Sequence, residues 1–301
     1  MLKGRLGLET ARVPHADRHG CLWLHHGGLY VEDGTLRFKT TGSGLLPAGD
    51  YAIPFQTVSC VLLGPGTTIS HDCLRLLARH GTGLIAVGED GVRYYASMPF
   101  GADSSALARR QIDLWSDVHG ARIAVARRMY AWRLGEVLPA TEIAVLRGIE
   151  GARVKTLYQR LAQQHGVAWT GRCYDRDDPD ATDPVNQALN HASTAVRSAA
   201  MIAVAVTSTV PQLGFIHEDS ALSFCLDIAD LFREQVALPV AFQAVKRAGQ
   251  RPDEPLERVA RRLAGRTLHQ MGVIPAMIDR IKALFEEKPD GDDRRGDAEC
   301  S

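Results

Sequence analysis

The chain has 301 residues, of which 45% are hydrophobic, and 35 basic residues balance 35 acidic ones. This length and composition allow two domains with substantial cores and exclude general disorder. The six cysteines are scattered without a C-x-x-C pair, which argues against a zinc module or a disulfide framework and favours a reducing compartment. Residues 1–20 lack an apolar signal segment and no apolar run could span a bilayer, so we expect a cytoplasmic protein without membrane contact.

Residues 1–96 are predicted to form a β-rich domain that contains one helix. Short apolar or alternating runs separated by Gly, Asp and Pro indicate the strands. The helix is predicted near 71–80, with Ser70 as its N-cap and Gly81 at its end. A turn centred on Glu89-Asp90-Gly91 separates two further strands. The earlier strand runs are CLWLHH, GLYVEDG, TLRFKTT and YAIPFQTVSCVLL.

The composition changes after a linker predicted at 97–105. Residues 106–287 show Ala, Leu, Arg and Gln at helical spacing with few strand signals, which predicts a larger all-α domain and an α+β fold class. Asp183 before Pro184 is a favourable N-cap and first-turn pair. The tail 288–301 has no apolar anchor and is predicted to be disordered. The predicted helices span about 104–137, 140–165, 184–208, 221–235, 239–249, 253–265 and 274–286.

A glutamate lies within the apolar stripe of the predicted helix 140–165. Glu150 is four residues after Leu146 and four before Val154, so it points inward if the helix is continuous. An unpaired buried carboxylate is costly and needs a cation, a proton or hydrogen bonds. Two interpretations stay open: a ligand of a bound cation, or half of a buried salt bridge to an arginine.

Two aspartates interrupt the otherwise apolar segment LSFCLDIADLF (222–232). Asp227 and Asp230 are three residues apart and therefore share one helical face. Two carboxylates held together in apolar surroundings repel each other, and a shared divalent cation relieves the repulsion. The alternative is that this face is exposed to solvent, with Glu234 continuing it.

His217 precedes Asp227 by ten residues, in a predicted loop that leads into the aspartate helix. A lone histidine is more often structural than a ligand. One histidine with several carboxylates nevertheless makes a mixed nitrogen and oxygen donor set, which suits Mg²⁺ or Mn²⁺.

The charges are segregated along the chain. Residues 104–168 carry ten Lys and Arg against five Asp and Glu, 169–240 carry four against ten, and 241–287 carry nine against six. Basic segments on both sides of an acidic one suit a phosphate-binding surface around a cation-binding centre. The alternative is that the helices simply differ in their solvated charges.

Three segments follow one another in the helical part: RGIEGARVK, which contains Glu150, then DPVNQALNHA (183–192) and GFIHEDSALSFCLDIADLF (214–232). Together with the β-rich domain before them, they resemble the CRISPR adaptation integrase, the spacer-acquisition subunit of this antiviral defence. LLGPGTTISH (62–71), VGEDGVRYYAS (87–97) and WTGRCYD (169–175) are similar to subtype I-E in particular. The resemblance covers about residues 20–287.

This resemblance implies a homodimeric, metal-dependent DNA endonuclease and integrase that uses Mg²⁺ or Mn²⁺. Such an enzyme holds a double-stranded DNA prespacer and joins its 3′ ends into the CRISPR array by phosphodiester transesterification, together with a small ferredoxin-like adaptation subunit. The family's metal ligands correspond here to Glu150, His217 and Asp230. Its additional acidic catalytic residue corresponds to Asp227, as an indirect or alternative ligand.

Arg93 is similar to a DNA-contacting arginine of subtype I-E. Two tyrosines of the family pattern are replaced, by His26 and Arg197, and the tail is short, which leaves open how the chain holds its small partner. Clustered arginines are expected to neutralise backbone phosphates without reading sequence. These further predicted DNA contacts are Arg109, Arg110, Arg127, Arg128, Arg258, Arg261 and Arg262.

Two other functions are compatible with parts of the sequence. One is a metal-dependent, structure-specific nuclease for repair or branched DNA, which the subtype-like segments disfavour. The other is a non-enzymatic nucleic-acid scaffold whose carboxylates serve only packing, which the inward Glu150 disfavours. A repeat–spacer array beside the gene would distinguish the adaptation enzyme from both.

Overall fold

The computed structural model describes residues 18–42, 46–97, 105–137, 142–173, 183–251 and 253–285. All strands in these ranges precede residue 98, and the regular elements after it are helices. This order confirms the predicted α+β class. Most of the predicted linker 97–105 and the whole predicted tail 288–301 lie outside the described residues.

Two four-stranded sheets form the N-terminal region. Within the described ranges the strands are β1 (His19–Leu24), β2 (Gly27–Glu32), β3 (Thr35–Thr40), β4 (Gly49–Ala52), β5 (Val58–Leu63), β6 (Thr67–Ile69), β7 (Gly83–Val87) and β8 (Tyr94–Ser97). The first sheet has the order β1-β5-β7-β8, in which only β8 runs antiparallel to its neighbour. The second has the order β4-β3-β2-β6, in which only β6 runs parallel to its neighbour.

Strand β5 connects two hydrophobic cores because it is buried on both faces. Successive side chains of a strand point to opposite faces. Cys60 and Leu62 pack into the helical core, while Val61 and Leu63 pack into the core between the sheets. The first sheet therefore belongs to both cores, which fixes the N-terminal region against the helices.

The α-helices in the described ranges are α1 (His71–His80), α2 (Ala106–Ser116), α3 (Ala121–Leu134), α4 (Ile143–His165), α5 (Pro184–Thr207), α6 (Ser223–Phe232), α7 (Leu238–Gln250), α8 (Leu256–Gln270) and α9 (Val273–Phe285). Helix α5 is rich in small residues and is buried over most of its length. It packs against α6, α7, α8 and α9, and so forms the centre of the helical core. No helix in the described part of the chain combines the length and the apolar character needed to cross a membrane.

Several helix ends confirm the sequence-based predictions. Gly81 ends α1 in the left-handed conformation, with φ 63°. The Asp183 carboxylate caps α5 by accepting hydrogen bonds from the backbone N–H groups of Val185 and Asn186, at 3.0 and 3.2 Å. Ser70 stands at the N-cap of α1, although its side chain caps no backbone N–H.

Three helix predictions are wrong in their boundaries. The predicted helix 104–137 is two helices, because the Asp117 carboxylate accepts hydrogen bonds from the N–H groups of Gly120 and Ala121 and starts a new helix. The predicted break between 235 and 239 is a π-helical turn, Arg233–Ala237, that joins α6 to α7. Helix α8 continues past Gly265, where a Cβ atom would come within 2.5 Å of Asp90. That glycine serves close packing and does not end the helix.

Candidate metal centre and adjoining cleft

Five side chains meet where α3, α4, α6 and the loop before α6 converge. Helix α3 contributes Arg133, α4 contributes Glu150, α6 contributes Asp227 and Asp230, and the loop contributes His217. The structure thus brings the four predicted catalytic residues to one region and adds an arginine that the sequence analysis did not single out.

Asp227 is buried, with 1% of its surface exposed, and it organises the loop. Its Oδ2 accepts hydrogen bonds from the backbone N–H groups of Phe215 and Ile216, at 2.5 and 3.1 Å. Its Oδ1 accepts one from the N–H of His217 at 2.9 Å and lies 2.7 Å from the His217 ring Nδ1. Both carboxylate oxygens are therefore already used, which disfavours the alternative of Asp227 as a direct metal ligand.

Helix α2 fixes the loop from the other side. The buried Gln111 amide donates to the carbonyls of Val210 and Leu213 and accepts from the N–H of Val210. The Trp115 indole donates to the carbonyl of Gly214 at 2.9 Å. A Cβ at position 214 would lie 2.3 Å from the His217 carbonyl oxygen, so only glycine allows this close approach.

The His217 ring is held in one orientation. Because the Asp227 carboxylate is an acceptor, it favours the tautomer with the proton on Nδ1, and this leaves the Nε2 lone pair available. Nε2 lies 3.8 Å from Asp230 Oδ2. The hydrogen bond to Asp227 raises the pKa of His217 above its ordinary value, although burial acts in the opposite direction.

Arg133 joins the two remaining carboxylates. Its guanidinium lies 3.3 Å from Asp230 Oδ2 through Nη1 and forms a salt bridge to Glu150 Oε1 through Nη2. Burial raises the pKa of Glu150, Arg133 opposes this effect, and Asp230 adds to it. The pair is well shielded, since the side chains of Arg133 and Glu150 are 3% and 15% exposed.

Glu150 therefore makes the buried salt bridge to an arginine that was one of its two interpretations. Within the described ranges, no three His, Cys, Asp or Glu side chains are close enough together to hold a metal ion. Arg133 contacts both Glu150 and Asp230, and His217 Nε2 lies 3.8 Å from the Asp230 oxygen that Arg133 contacts. The convergence of Glu150, His217 and Asp230 on one ion stays a prediction.

A cleft of about 540 Å³ opens beside Asp230. It is lined by four arginines, by Asp230 and by polar side chains of α5. A cavity with this lining attracts anions through the arginines and offers a carboxylate at one side. The four arginines are Arg93, Arg172, Arg197 and Arg233.

Only Arg93 of the predicted DNA contacts lines this cleft. Arg127 and Arg128 line a separate cavity of about 460 Å³ beside α3. The others lie on α2 and α8, where Arg109, Arg258 and Arg262 are exposed to solvent. The structure therefore distributes these arginines over several surfaces.

Three residues that shape the site were not predicted from the sequence. Arg133 lies four residues after Met129 and three after Tyr130, which are both buried, so its helical spacing places it inward as that of Glu150 does. Arg147 was not predicted as a site residue, but its guanidinium donates to the Ile216 carbonyl at 2.9 Å. Gln111 gave no local signal, because its partners are about 100 residues away in the chain.

Comparisons with known proteins identify relatives of this chain. A model of the family described as CRISPR associated protein Cas1 matches residues 130–258. The CRISPR-associated endonuclease Cas1 of Escherichia coli (strain K12) is 36% identical, over 92% of this chain and 89% of its own length. The protein of the same name from Geobacter sulfurreducens is 36% identical, over 91% of this chain and 86% of its own.

A solved structure gives the same result. The chain superimposes on the crystal structure of a TtCas1–DNA complex with a TM-score of 0.80 and 31% identity, covering 92% of this chain and 99% of that one. Similarity at this level of identity over nearly the full length of several proteins leads to one conclusion: this chain belongs to the Cas1 family of CRISPR-associated proteins.

Proposed function

We propose that this protein is a metal-dependent DNA endonuclease and integrase of CRISPR adaptation, which joins prespacer 3′ ends into the repeat–spacer array. The observation that carries the proposal is that Glu150 and Asp230 share the Arg133 guanidinium, while His217 Nε2 lies 3.8 Å from Asp230 Oδ2, beside an arginine-lined cleft. The relatives named as endonucleases and the similar chain solved with DNA support the same reading.

The donor set fits a divalent cation. Glu150 and Asp230 supply carboxylate oxygens, and His217 supplies Nε2, the combination suited to Mn²⁺ and, with more oxygen donors from water, to Mg²⁺. Both carboxylates already share one cation, the Arg133 guanidinium, so the site requires positive charge. A bound ion would supply Lewis-acid polarisation of the scissile phosphate and stabilise the charge that develops on it.

The residues of the chain position the reacting groups. In strand joining, a prespacer 3′-hydroxyl oxygen forms a bond to the target phosphorus while the bond from phosphorus to the target O3′ breaks. The attacking hydroxyl loses its proton, and the departing O3′ gains one. With water in place of the 3′-hydroxyl, the same exchange cleaves the strand. Arg93, Arg197 and Arg233 would neutralise phosphates in the cleft beside this centre.

Asp227 acts through His217 and not on the substrate. By accepting hydrogen bonds from Nδ1–H and from three backbone N–H groups, it sets both the tautomer and the position of the ring. Partners of this kind that orient a ligand typically change metal affinity or activity by about 10- to 100-fold when they are removed.

We also propose, from the resemblance to the family, that the chain works as a homodimer with a small ferredoxin-like subunit and binds both a double-stranded prespacer and array DNA. The zero net charge does not oppose DNA binding, because four arginines line the cleft and others are exposed on α2 and α8.

The test compares joining with cleavage in one reaction. The protein, with a small adaptation subunit from the same genome, is incubated with Mn²⁺ or Mg²⁺, a supercoiled plasmid containing a repeat, and a labelled prespacer. We expect labelled plasmid with normal 3′ ends and none with 3′-deoxy ends, because these lack the attacking oxygen.

Two controls separate the possible outcomes. EDTA should abolish both reactions if the centre needs a divalent ion. Cleavage of DNA in Mn²⁺ without any 3′-hydroxyl-dependent joining, even with the small subunit and a repeat-containing target, would leave a plain nuclease and overturn the integrase assignment.

A further inference from the structure

Arg133 lies at the centre of the site, and its environment is unusual for an arginine. Its side chain is 3% exposed, and its Nε is buried without a hydrogen-bond partner among the described residues. Its guanidinium carbon lies 5.8 Å from the centre of the Tyr130 ring. A buried guanidinium loses most of its hydration, so it depends on Glu150 and Asp230 for neutralisation.

The surrounding charges are those of Glu150, Asp230 and Glu234, with Arg233 as one further arginine. Besides Glu150 and Asp230, Glu234 is close enough to affect Glu150 electrostatically, and its Oε1 is buried without a partner in the described part of the chain. Glu234 lies in the π-helical turn that follows Asp230, and such turns are frequent at functional sites. Without a positive group at the centre, these carboxylates would repel one another in a poorly solvated place.

Arg133 and a divalent ion require the same ligand atoms. The guanidinium takes Glu150 Oε1 and Asp230 Oδ2, and the latter is also the oxygen that faces His217 Nε2. An ion coordinated by Glu150, His217 and Asp230 would therefore need the position that the Arg133 guanidinium occupies. Two cations cannot both occupy a site of this size without strong repulsion.

We infer that Arg133 is an internal placeholder cation, which holds Glu150 and Asp230 in position in the metal-free protein and is displaced when a divalent ion binds. The inference rests on the proposed function, because that proposal names Glu150, His217 and Asp230 as the metal ligands. Two effects follow. The metal-free site is ordered and stable, and the apparent affinity for the ion is lower than the three ligands alone would give.

The test measures Mn²⁺ binding without DNA, by calorimetry, together with thermal unfolding in EDTA. Arg133→Met removes the placeholder while keeping an apolar side chain of similar length. We expect Mn²⁺ to bind about 10-fold more tightly to this variant, the scale of typical coupling between linked sites. In EDTA we expect its unfolding temperature to fall by roughly 5 °C, because two carboxylates lose their partner.

A matched control comes from the same pair of helices. Arg153→Met removes a salt bridge between α4 and Glu136, which follows α3, but that pair is exposed, at 43% and 51% of the two side chains. It should leave the Mn²⁺ affinity unchanged. Arg133→Lys provides a second, conservative variant, which keeps one positive charge but cannot hold two carboxylates in a fork. It should bind Mn²⁺ a few-fold more tightly than wild type.

Each possible result either supports or overturns the placeholder role of Arg133. Weaker or unchanged Mn²⁺ binding by folded Arg133→Met or Arg133→Lys would overturn the placeholder and make Arg133 a support of the bound state. Equal tightening in Arg153→Met would also overturn it, since general charge would then be the cause. Failure of the proposed function looks different: wild-type protein would bind no Mn²⁺, or would bind it equally well after Glu150→Ala.

Discussion

Two arginine–glutamate pairs join the C-terminal end of α3 to α4, and they differ in their surroundings. Arg133 and Glu150 form the inner pair, with side chains 3% and 15% exposed. Arg153 and Glu136 form the outer pair, with side chains 43% and 51% exposed. In the inner pair the arginine lies on α3 and the glutamate on α4, whereas in the outer pair the arginine lies on α4 and the glutamate follows α3. Both are arginine–glutamate salt bridges, so burial is the main difference between them.

The contrast shows that an arginine–glutamate salt bridge alone does not mark a functional residue. An exposed pair is worth about 0–1 kcal/mol, because water already solvates both charges. In the inner pair, burial raises the pKa of Glu150 despite the adjacent Arg133, and the inner arginine also contacts Asp230. The inner pair is therefore a buried ion pair with a third charged partner, whereas the outer pair is a solvated contact between α4 and the residues that follow α3.

The largest expected effect comes from breaking each pair at its glutamate. Glu150→Ala should lower strand joining and cleavage on the order of 10³-fold or more, as removal of a central catalytic group does. Glu136→Ala should leave both activities within about two-fold, since exposed pairs contribute little. Rates are measured with Mn²⁺, and DNA binding is measured separately.

DNA affinity should stay near wild type in Glu150→Ala, because binding comes from the arginines. His217→Ala and Asp230→Ala should behave in the same way. Near wild-type joining by all three variants would show that the catalytic assignment is wrong.

A smaller effect is expected at Asp227, which is buried like the inner pair but, among the described residues, hydrogen-bonds to the loop before α6. Asp227→Asn should lower the joining rate about 10- to 100-fold. Loss of the carboxylate also lowers the pKa of His217, which Asp227 now raises. Because a ligand needs the unprotonated Nε2, the acidic limb of the rate–pH profile should move to lower pH.

The exposed Asp219, in the same loop, provides the control. Asp219→Asn should change neither the rate nor the pH profile. A wild-type pH profile in Asp227→Asn would contradict the positioning role, even if the rate fell.

The smallest effect on chemistry is expected from the exposed arginines of α8. Charge reversal at Arg258 and Arg262 should weaken DNA binding by about 10-fold and lower the slope of log affinity against log salt by roughly two, one unit for each lost phosphate contact. The rate at saturating DNA should change little. Equal losses from reversal of Arg294 and Arg295, which lie outside the described residues, would show that general charge governs binding.

Local periodicity of the sequence was enough to predict the acidic residues of the site. Glu150 was found because it falls in an apolar stripe, and Asp227 and Asp230 because their spacing places them on one helical face. Periodicity cannot show which of two aspartates lies inward: Asp227 is 1% exposed, while 24% of the Asp230 side chain is exposed. This difference depends on the loop that folds back onto α6.

Features formed by distant parts of the chain could not be predicted in this way. The cleft combines Arg93, from the turn before β8, with Arg172, Arg197 and Arg233 from three later segments. The break between α2 and α3 depends on one carboxylate that bonds to backbone N–H groups, in a segment whose composition is helical throughout. Helical periodicity carries no information about either kind of contact, because one joins distant segments and the other joins a side chain to the backbone.

The most direct test of the central claim is a crystal structure of the protein with Mn²⁺, with data collected at the manganese absorption edge. We expect one strong anomalous peak in each chain, about 2 Å from carboxylate oxygens of Glu150 and Asp230 and from His217 Nε2. Arg133 should have moved off at least one of the two carboxylates. A fully active protein whose only manganese peaks lie away from these three side chains would contradict the account.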